Sequence, residues 1–386
     1  MVSYRWKWKS GKDLALISLV IVAIRVVAAL VASEIGKSFV ATGTRQVVTT
    51  NSLVSSFIKW DAGWYVRIAQ HGYPTLKSHA FYPAYPLLIR VFSPLVGFSG
   101  GALAVAWIAA VFAVWGVIDV ARRFASLEAA LLVGALFAWN PASIFLVAGY
   151  PEGLLVAAMI WSLRFALEKK WLRAALLAGA ASCILPQGTV SALVVVLAVI
   201  VSEPRRRGLI HAIFYGAVGE LGLIGLLVYG WVSTGNAFVN ERAEKYGWHN
   251  DFTYPFHVVL RELSMIANSP ANGQVRSVYV LNATAGILGG VLAAAGLYLC
   301  WRDRKLLLPV TLLALGVFVS VVTIDLGADS TARFILFLAP LYVLGAVLID
   351  RVPARARLPL MLNVLLCSSM LAVLYGAMFN FGWWLT

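Results

Sequence analysis

The amino-acid sequence predicts an all-α protein that crosses a membrane many times. Hydrophobic residues make up 61% of the 386 residues and charged residues only 12%, whereas a soluble domain is roughly 45–50% apolar. The mean hydropathy is +0.84. The apolar residues fall in runs of about 17 to 25, the length of a membrane-spanning helix. Because lipid-facing backbone must satisfy its own hydrogen bonds, these runs are expected to form one helical membrane domain over residues 1–386.

About eleven segments are long and apolar enough to be candidate spans. The first one follows a basic start like that of a signal peptide, but its length, its Arg25 and the lack of a small-residue cleavage site favour an uncleaved helix. The candidates are residues 13–33, 100–121, 127–148, 152–168, 172–186, 188–202, 208–232, 276–300, 305–325, 332–350 and 358–379.

Short basic clusters lie between these segments and predict their orientation. The net charge of +14 is spread over the clusters and not over one polar domain, which argues against nucleic-acid binding. With eleven spans every cluster falls on the cytoplasmic side, as the positive-inside rule requires. The N-terminus is then cytoplasmic, and loops 34–99 and 233–275 are external. The clusters are RWKWKSGK at the N-terminus, Arg122–Arg123, Glu168–Arg173, Glu203–Arg207, Trp301–Lys305 and Asp350–Arg357.

Two regions do not follow the simple span pattern. Residues 172–202 have basic flanks on both sides, so two short helices that meet at Leu185–Gly188 fit better than one long span, because Pro186 and Gly188 break a helix. Residues 85–98 are apolar but contain Pro86, Arg90 and Pro94. They predict a helix lying at the outer membrane surface, with a full span as the alternative.

The most informative motif is WDAGWYVRIAQHGYP, residues 60–74, followed by AFYPAYP, residues 80–86. It places the carboxylate of Asp61 among aromatic rings in the first external loop. Small neighbours leave room around it, so Asp61 is a candidate general base. The alternative, a cap for the following helix, is compatible with that role. Rings that could line a substrate pocket are Trp60, Trp64, Tyr65 and Tyr82.

Four further polar residues are candidate substrate ligands with ordinary structural alternatives. His71 ends the helix after Asp61, although a histidine there is more often a polar filler. Asn140 and Glu152 flank the turn segments WNPASIF and GYPEG, and a helix dipole alone would favour Glu152 at its position. Gln187 at the broken hairpin could bind a sugar or phosphate, or instead backbone groups released by Pro186.

The second external loop contains STGNAFVNERAEKYGWH, residues 233–249. Its paired charges predict a solvated surface helix. Lys245, Trp248 and His249 also form a basic and aromatic group suited to a lipid phosphate and a carbohydrate. Both interpretations are open from the residues alone.

Arg333 begins a late span at the external side, against the usual bias of arginine. Arginine binds phosphate oxygens in a forked geometry, which makes Arg333 a candidate phosphate ligand. An ion pair with Asp329 is the alternative. Arg25 and Glu220 lie inside predicted spans, where we expect buried structural contacts away from the external residues.

Several function classes lack support in the sequence. Cys183, Cys300 and Cys367 have no metal-type spacing. No D-x-D pair, H-E-x-x-H helix, G-x-S-x-G elbow or phosphate-cradling glycine motif occurs in a suitable context. No internal repeat is evident, which counts against a secondary transporter.

Five segments of this chain occur in the same order as related segments of one family. They are WDAGWYVRIAQHGYP, AFYPAYPLLIR, WNPASIFLVAGYPEGLL, TGNAFVNERAEKYGWH and TARFILFLAP. On these residues the chain resembles PIG-V-like mannosyltransferases. It departs from their pattern at Trp64-Tyr65, at Phe81-Tyr82-Pro83 and at Leu185–Gly188, and those departures bear on the acceptor and on the sugar.

The resemblance implies a GT-C membrane glycosyltransferase that moves mannose from a polyprenyl-phosphate donor to a lipid-linked glycan or glycolipid, such as a phosphatidylinositol mannoside. It implies that Asp61 is the base of an inverting displacement, with Arg333 and Lys245 or His249 at the donor phosphate. No cofactor is expected; a divalent metal bound through the substrate phosphate is an open alternative. The expected location is a bacterial plasma (inner) membrane, with the site outside. The competing classes are a lipid-glycan flippase or transporter and a scaffold subunit of an envelope-synthesis complex.

Overall fold

The computed structural model describes residues 11–39, 53–268, 273–302, 307–325 and 330–380, and these are almost entirely helical. The predicted all-α class is confirmed. Several predicted segments lie outside the described residues: residues 5–10 of the N-terminal basic cluster, residues 40–52 and 269–272 of the two loops, residues 303–305 of the fifth basic cluster, and Asp329.

The helices of the first half are α1 (Gly11–Phe39), α2 (Leu53–Ser56), α3 (Asp61–His71), α4 (Ala84–Ala121), α5 (Leu127–Ala138), α6 (Glu152–Leu167), α7 (Trp171–Ser182) and α8 (Thr189–Ser202). Those of the second half are α9 (Arg205–Gly219), α10 (Leu221–Thr234), α11 (Val239–Ala243), α12 (His257–Asn268), α13 (Gly273–Arg302), α14 (Leu308–Val322), α15 (Thr331–Ile335), α16 (Ala339–Ile349) and α17 (Ala354–Asn380). Three 3₁₀ turns (Leu76–Ala80, Ser143–Leu146, Pro186–Gly188), a π-helical turn (Glu244–Trp248) and two short strands, β1 (Asp251–Phe252) and β2 (Ile324–Asp325), complete the described elements.

Within the described ranges, four helices are long and apolar enough to cross a membrane: α1, α4, α13 and α17. Helices α9 and α10 make a fifth candidate if they are one span bent by 52°. The predicted spans in α5, α8, α14 and α16 are shorter apolar helices. A multi-pass membrane protein is supported, and the count of eleven spans stays a prediction.

Three predicted spans are wrong as continuous helices, and one of them, 208–232, is the bent pair of α9 and α10. The predicted span 127–148 ends as α5 at Ala138, where Asn140 Nδ2 donates to Phe137 O (2.7 Å) and Oδ1 accepts from Ala142 N (2.9 Å). Such side-chain bonds compete with helical hydrogen bonding. The predicted span 332–350 is divided between α15 and α16, because Pro340 has no N–H to donate and its ring obstructs a continuous helix.

The interpretation of residues 172–202 is confirmed, since α7 and α8 are separate helices on either side of the Pro186–Gly188 turn. Residues 85–98 lie in the first part of α4, which is interrupted at Gly97 (φ 73°). A hydroxyl bond from Tyr85 to Ala102 O (2.8 Å) holds the first part against the second. The segment is thus a helix of its own, while its place at the membrane surface stays a prediction.

Backbone and side-chain bonds bring the segments that connect the helices together around one point. Gly149 N–H donates to Phe57 O (3.0 Å), and the Tyr150 hydroxyl donates to Lys59 O (3.0 Å). These two bonds place the turn before α6 beside the turn before α3. Strand β1 pairs antiparallel with β2, which joins the second loop to the segment before α15. The starts of α3, α6 and α15 are thereby placed together.

Arg25 of α1 stabilises the turn between α5 and α6. Its Nε donates to Ser143 Oγ (2.9 Å), and its guanidinium lies 5.6 Å from the centroid of the Trp139 ring. Arg25 makes the buried structural contact that was expected, but the expectation that it lies away from the WNPASIF segment is wrong, because both contacts are with that turn after α5.

Candidate active site

Arg333 joins two carboxylates that are far apart in the chain. Its Nη1 lies 2.6 Å from Asp61 Oδ2, and its Nε donates to Glu152 Oε1. Each of the three residues stands at or near the start of a helix: α3, α6 and α15. The Asp61–Arg333–Glu152 triad is the centre of the candidate site.

Burial differs sharply within the triad. The side chains of Glu152 and Arg333 are 2% and 4% exposed, whereas that of Asp61 is 20% exposed. A substrate can therefore reach Asp61 more readily than it can reach Glu152 or Arg333. The Asp61 carboxylate binds Arg333. No side chain caps the start of helix α3.

Aromatic rings surround the guanidinium of Arg333. Its Cζ lies 4.6 Å from the ring centroid of Tyr150 and 5.2 Å from those of Phe145 and Phe334. Cation–π attraction is strongest when the cation is shielded from water. These rings exclude water from the ion pairs, which strengthens both of them and holds Arg333 in place.

Trp60 precedes Asp61 with a left-handed backbone conformation (φ 49°). This conformation is uncommon for a bulky residue and marks a constrained turn. The Trp60 ring packs edge-on against Phe379 of α17, with 4.9 Å between centroids. The turn thereby orients the first residue of α3 toward Arg333.

An aromatic cluster lies along α3 next to Asp61. Trp64 stacks on Phe81 (5.8 Å between centroids) and meets the edge of Trp248 from the second loop (5.8 Å). Tyr65 is buried beneath, edge-on to Phe81 (5.0 Å). The structure thus brings together Trp64, Tyr65 and Trp248, and the cluster also docks the first loop on the second. The substrate contacts predicted for these residues stay predictions.

Gln187 and Glu152 line the same small cavity, which α14 and the residues between α15 and α16 complete. Asn140 instead bonds to its own turn, as described above. Gln187 therefore lies beside the triad, whereas the amide of Asn140 is used in local structure. The substrate contacts predicted for both residues stay predictions.

Three predicted residues lie at the periphery. His71 is exposed at the opposite end of α3 from Asp61, about 15 Å along the helix at 1.5 Å per residue. Lys245 and His249 are exposed, and Lys245 Nζ lies 3.4 Å from Asp251 Oδ1. Their predicted contacts with substrate and phosphate stay predictions, and Arg333 alone of the three predicted phosphate ligands is in the centre.

Sequence reasoning missed Glu244, which belongs to the π-helical turn of the second loop. Asn250 Nδ2 donates to its Oε2 at 2.6 Å. Burial raises the pKa of the Glu244 carboxyl to about 7, and the charge of Asp61 also raises it. The predicted solvated helix holds for Glu241 and Arg242, which are exposed. No sequence signal separated Glu244 from them, because the turn that buries it depends on the docked loop.

The phenol of Tyr82 is affected by the charges of two carboxyl groups from different elements. Burial raises the pKa of its phenol above the usual value, and the charges of Glu244 and Glu220 raise it further. Glu220 stands at the bend between α9 and α10. The structural contact expected for Glu220 stays a prediction.

A large apolar groove lies next to the site, with a volume of about 880 Å³. Its walls come from α4, α6 and α7, and it reaches from Ala84 and Cys183 to Trp161 and Phe165. Several of its residues, such as Leu87, are exposed at the surface of the bundle. The groove can take a long hydrocarbon chain from the surrounding lipid. Among the described residues, no group of three or more His, Cys, Asp or Glu side chains is arranged to hold a metal ion.

A comparison of the chain with known families adds to this arrangement of a carboxylate, a buried arginine and a lipid-sized groove. Residues 16–200 match the family model Mannosyltransferase (PIG-V). No individual curated protein matches the chain. The mannosyltransferase match confirms the resemblance seen in the motifs and supports glycosyltransferase activity in a membrane.

The mannosyltransferase match covers α1 to nearly the end of α8, and with them Asp61, Glu152 and Gln187. Arg333, Glu244 and Trp248 lie beyond residue 200. The structure connects these later residues to the matched part through the Arg333 ion pairs and the contacts of Trp248. The candidate site is therefore assembled from both halves of the chain.

Proposed function

We propose that the protein transfers mannose from a polyprenyl-phosphate donor to a lipid-linked glycan or glycolipid acceptor, such as a phosphatidylinositol mannoside, on the external face of a plasma membrane. The observation that carries this proposal is the Asp61 carboxylate, which is partly exposed and held 2.6 Å from Arg333. The family match supports mannosyl transfer, and the carboxylate supplies a base for it.

In the proposed reaction, Asp61 accepts the proton of an acceptor hydroxyl. The hydroxyl oxygen forms a bond to the anomeric carbon, and the bond from that carbon to the phosphate oxygen breaks. The electron pair leaves on polyprenyl phosphate, so one displacement inverts the anomeric configuration. Because phosphate is a good leaving group, positioning and charge stabilisation matter more than covalent catalysis.

Arg333 is proposed to stabilise the departing phosphate, as the cation nearest to Asp61. Its guanidinium already orients the base, and its forked donors suit phosphate oxygens. Lys245 and His249, exposed in the second loop, would guide the phosphate group toward it. The aromatic cluster of Trp64, Phe81 and Trp248 would contact the sugar.

The groove between α4, α6 and α7 is proposed to hold the polyprenyl chain of the donor. Its walls are apolar, it begins at Ala84 beside the first loop, and Leu154 places α6 in its wall two residues after Glu152. A chain lying there would bring its phosphate end to the triad.

The test is transfer by the purified protein in lipid nanodiscs. Labelled polyprenyl-phosphate mannose is supplied with a panel of lipid acceptors, and the products are identified by mass. Formation of a mannosylated acceptor that is absent with Asp61→Asn supports the proposal. Movement of the donor across a bilayer without its consumption would instead indicate a flippase, and equal complex assembly with the inactive variant would indicate a scaffold.

A further inference from the structure

A small cavity lies beside Glu152, on the inner side of the candidate site. Its volume is about 20 Å³, and a single water molecule needs roughly 10–15 Å³ by this measure. Apolar side chains from α6, α14 and the segment between α15 and α16 form most of its wall, among them Val156 and Val317. The cavity is thus large enough for one water and too small for a sugar.

Two buried oxygen atoms distinguish this cavity from an ordinary packing void. Glu152 Oε2 and Gln187 Oε1 are both buried and have no hydrogen-bond partner among the described residues. The residues Glu152 and Gln187 as a whole are 1% and 5% exposed. Buried acceptors in proteins are nearly always satisfied, so each of these oxygens requires a donor.

The local sequence places the Gln187 side chain in the cavity wall. Residues Pro186–Gly188 form a 3₁₀ turn that is closed by a bond from Gly188 N–H to Leu185 O (2.9 Å). A Cβ atom at Gly188 would collide with the carbonyl of Ala181. Only glycine therefore permits this close approach of the turn to α7, which sets the position of the neighbouring glutamine.

We propose that the cavity binds one water molecule that donates one hydrogen bond to Glu152 Oε2 and the other to Gln187 Oε1. A water molecule has two donor protons, and the two residues that carry these unpartnered oxygens both line a cavity with the volume of one water. Gln187 is then a positioning residue that acts on Glu152 through the bound water.

The water connects Gln187 to the base. Glu152 uses its other oxygen, Oε1, to accept from Arg333 Nε, and Arg333 Nη1 holds Asp61. With both oxygens bonded, the Glu152 carboxylate cannot rotate, and the guanidinium stays aligned with Asp61. This last step rests on the proposed function, whereas the presence of the water does not.

Substitutions at Val156 distinguish a cavity that holds a water molecule from an empty one. Val156 stands one helical turn after Glu152 and lines the cavity. Val156→Ile adds a methyl group that fills the space and expels the water, so thermal stability and kcat are expected to fall. Val156→Ala leaves room for the water, so kcat should stay near that of the wild type although stability falls. Filling an empty void would do the opposite, because closing a cavity normally stabilises a protein.

Substitutions at Gln187 provide an independent test. Gln187→Met keeps the length and removes the acceptor, and kcat is expected to fall about tenfold with unchanged KM for the donor, the size of one lost hydrogen bond. Gln187→Asn keeps an amide acceptor and leaves room for water, so it should retain most of kcat. If Gln187 serves only to fill space, Gln187→Met should keep a higher kcat than Gln187→Asn, since methionine conserves volume and asparagine does not.

A density map of the wild-type protein at a resolution that shows ordered water decides the matter directly. We expect a single peak within hydrogen-bond distance of Glu152 Oε2 and Gln187 Oε1. A direct contact between the amide nitrogen of Gln187 and Glu152, with no peak in the cavity, would overturn the inference. If the protein transfers no mannose, the proposed function fails, but the map and the stability of the Val156 variants still test the water.

Discussion

Arg333 Nη1 lies 2.6 Å from Asp61 Oδ2, although 272 residues separate the two in the chain. The contact joins the start of α15 to the start of α3. Glu152 binds the same guanidinium from α6. One arginine thus binds two carboxylates at the meeting point of three helices, and of these two carboxylates only that of Asp61 is partly exposed.

Asp61→Asn should abolish most transfer while leaving the fold intact. The amide keeps the shape of the carboxylate but cannot take the acceptor proton, and general-base catalysis contributes about 10²- to 10⁴-fold to rate. Initial rates of product formation measure the loss. The matched control is Glu241→Gln, an equally small charge removal on exposed α11. Near-normal transfer by the Asp61 variant would rule out its role as the base.

Removal of Arg333 should destabilise the protein strongly. Arg333→Met leaves Glu152 buried without its cation, and breaking a buried ion pair in this way costs about 3–5 kcal/mol. Thermal unfolding in detergent or nanodiscs reports the change. Arg67→Met, which removes an exposed arginine of α3, serves as the control and should have little effect.

A second substitution tests whether the loss comes from the ion pair. In the double variant Arg333→Met with Glu152→Gln, the buried charge is absent, so part of the stability should return. The non-additivity of the two substitutions measures the coupling between them. Simple addition of the two losses would mean that Arg333 and Glu152 do not stabilise one another.

Glu244 should make stability depend on pH near neutrality. Burial raises the pKa of its carboxyl to about 7 from a usual value of 4.5. The folded state therefore favours the protonated form, and this contribution to stability is complete below pH 4.5 and is lost as pH rises through about 7. The stability advantage of the wild type over Glu244→Gln should shrink along this range. A constant difference between the two proteins from pH 5 to 8 would show that Glu244 does not titrate there.

A bulky residue in the groove should discriminate between donors of different chain length. Ala180 lines the groove and is exposed, so Ala180→Phe can obstruct the groove without disturbing the core. We expect a higher KM for a long-chain polyprenyl-phosphate mannose and little change for a short-chain analogue. Leu176→Phe, at an exposed position of the same helix that is not part of the groove wall, is the control. Equal effects on both donors would place the prenyl chain elsewhere.

Transfer is expected to continue in the presence of EDTA. Arg333 supplies positive charge beside Asp61, so no metal is needed for that purpose in the proposed reaction. Initial rates with and without the chelator give the comparison. A loss of activity that Mg²⁺ or Mn²⁺ restores would mean that a metal bound through the substrate phosphate takes part.

Much of the local organisation follows from short-range patterns. Asp61, Glu152 and Gln187 could each be named from a motif, because aromatic residues, proline and glycine mark turns over a few positions. The break at Leu185–Gly188 was predicted for the same reason. The end of α5 at Ala138 and the division between α15 and α16 were misjudged, because hydropathy averaged over a window does not register a single capping amide or proline.

Hydrophobic composition and run length are enough to predict a helical membrane protein, since every lipid-facing peptide group must bond within its own helix. The order of motifs along the chain is enough to indicate the family that it resembles. Tertiary structure alone decides that Arg333 binds Asp61 and Glu152 and leaves Lys245 and His249 at the surface. It also decides that Glu244 is partly buried whereas Glu241 is exposed. These relationships depend on how distant helix starts pack together, and sequence spacing contains no measure of that distance.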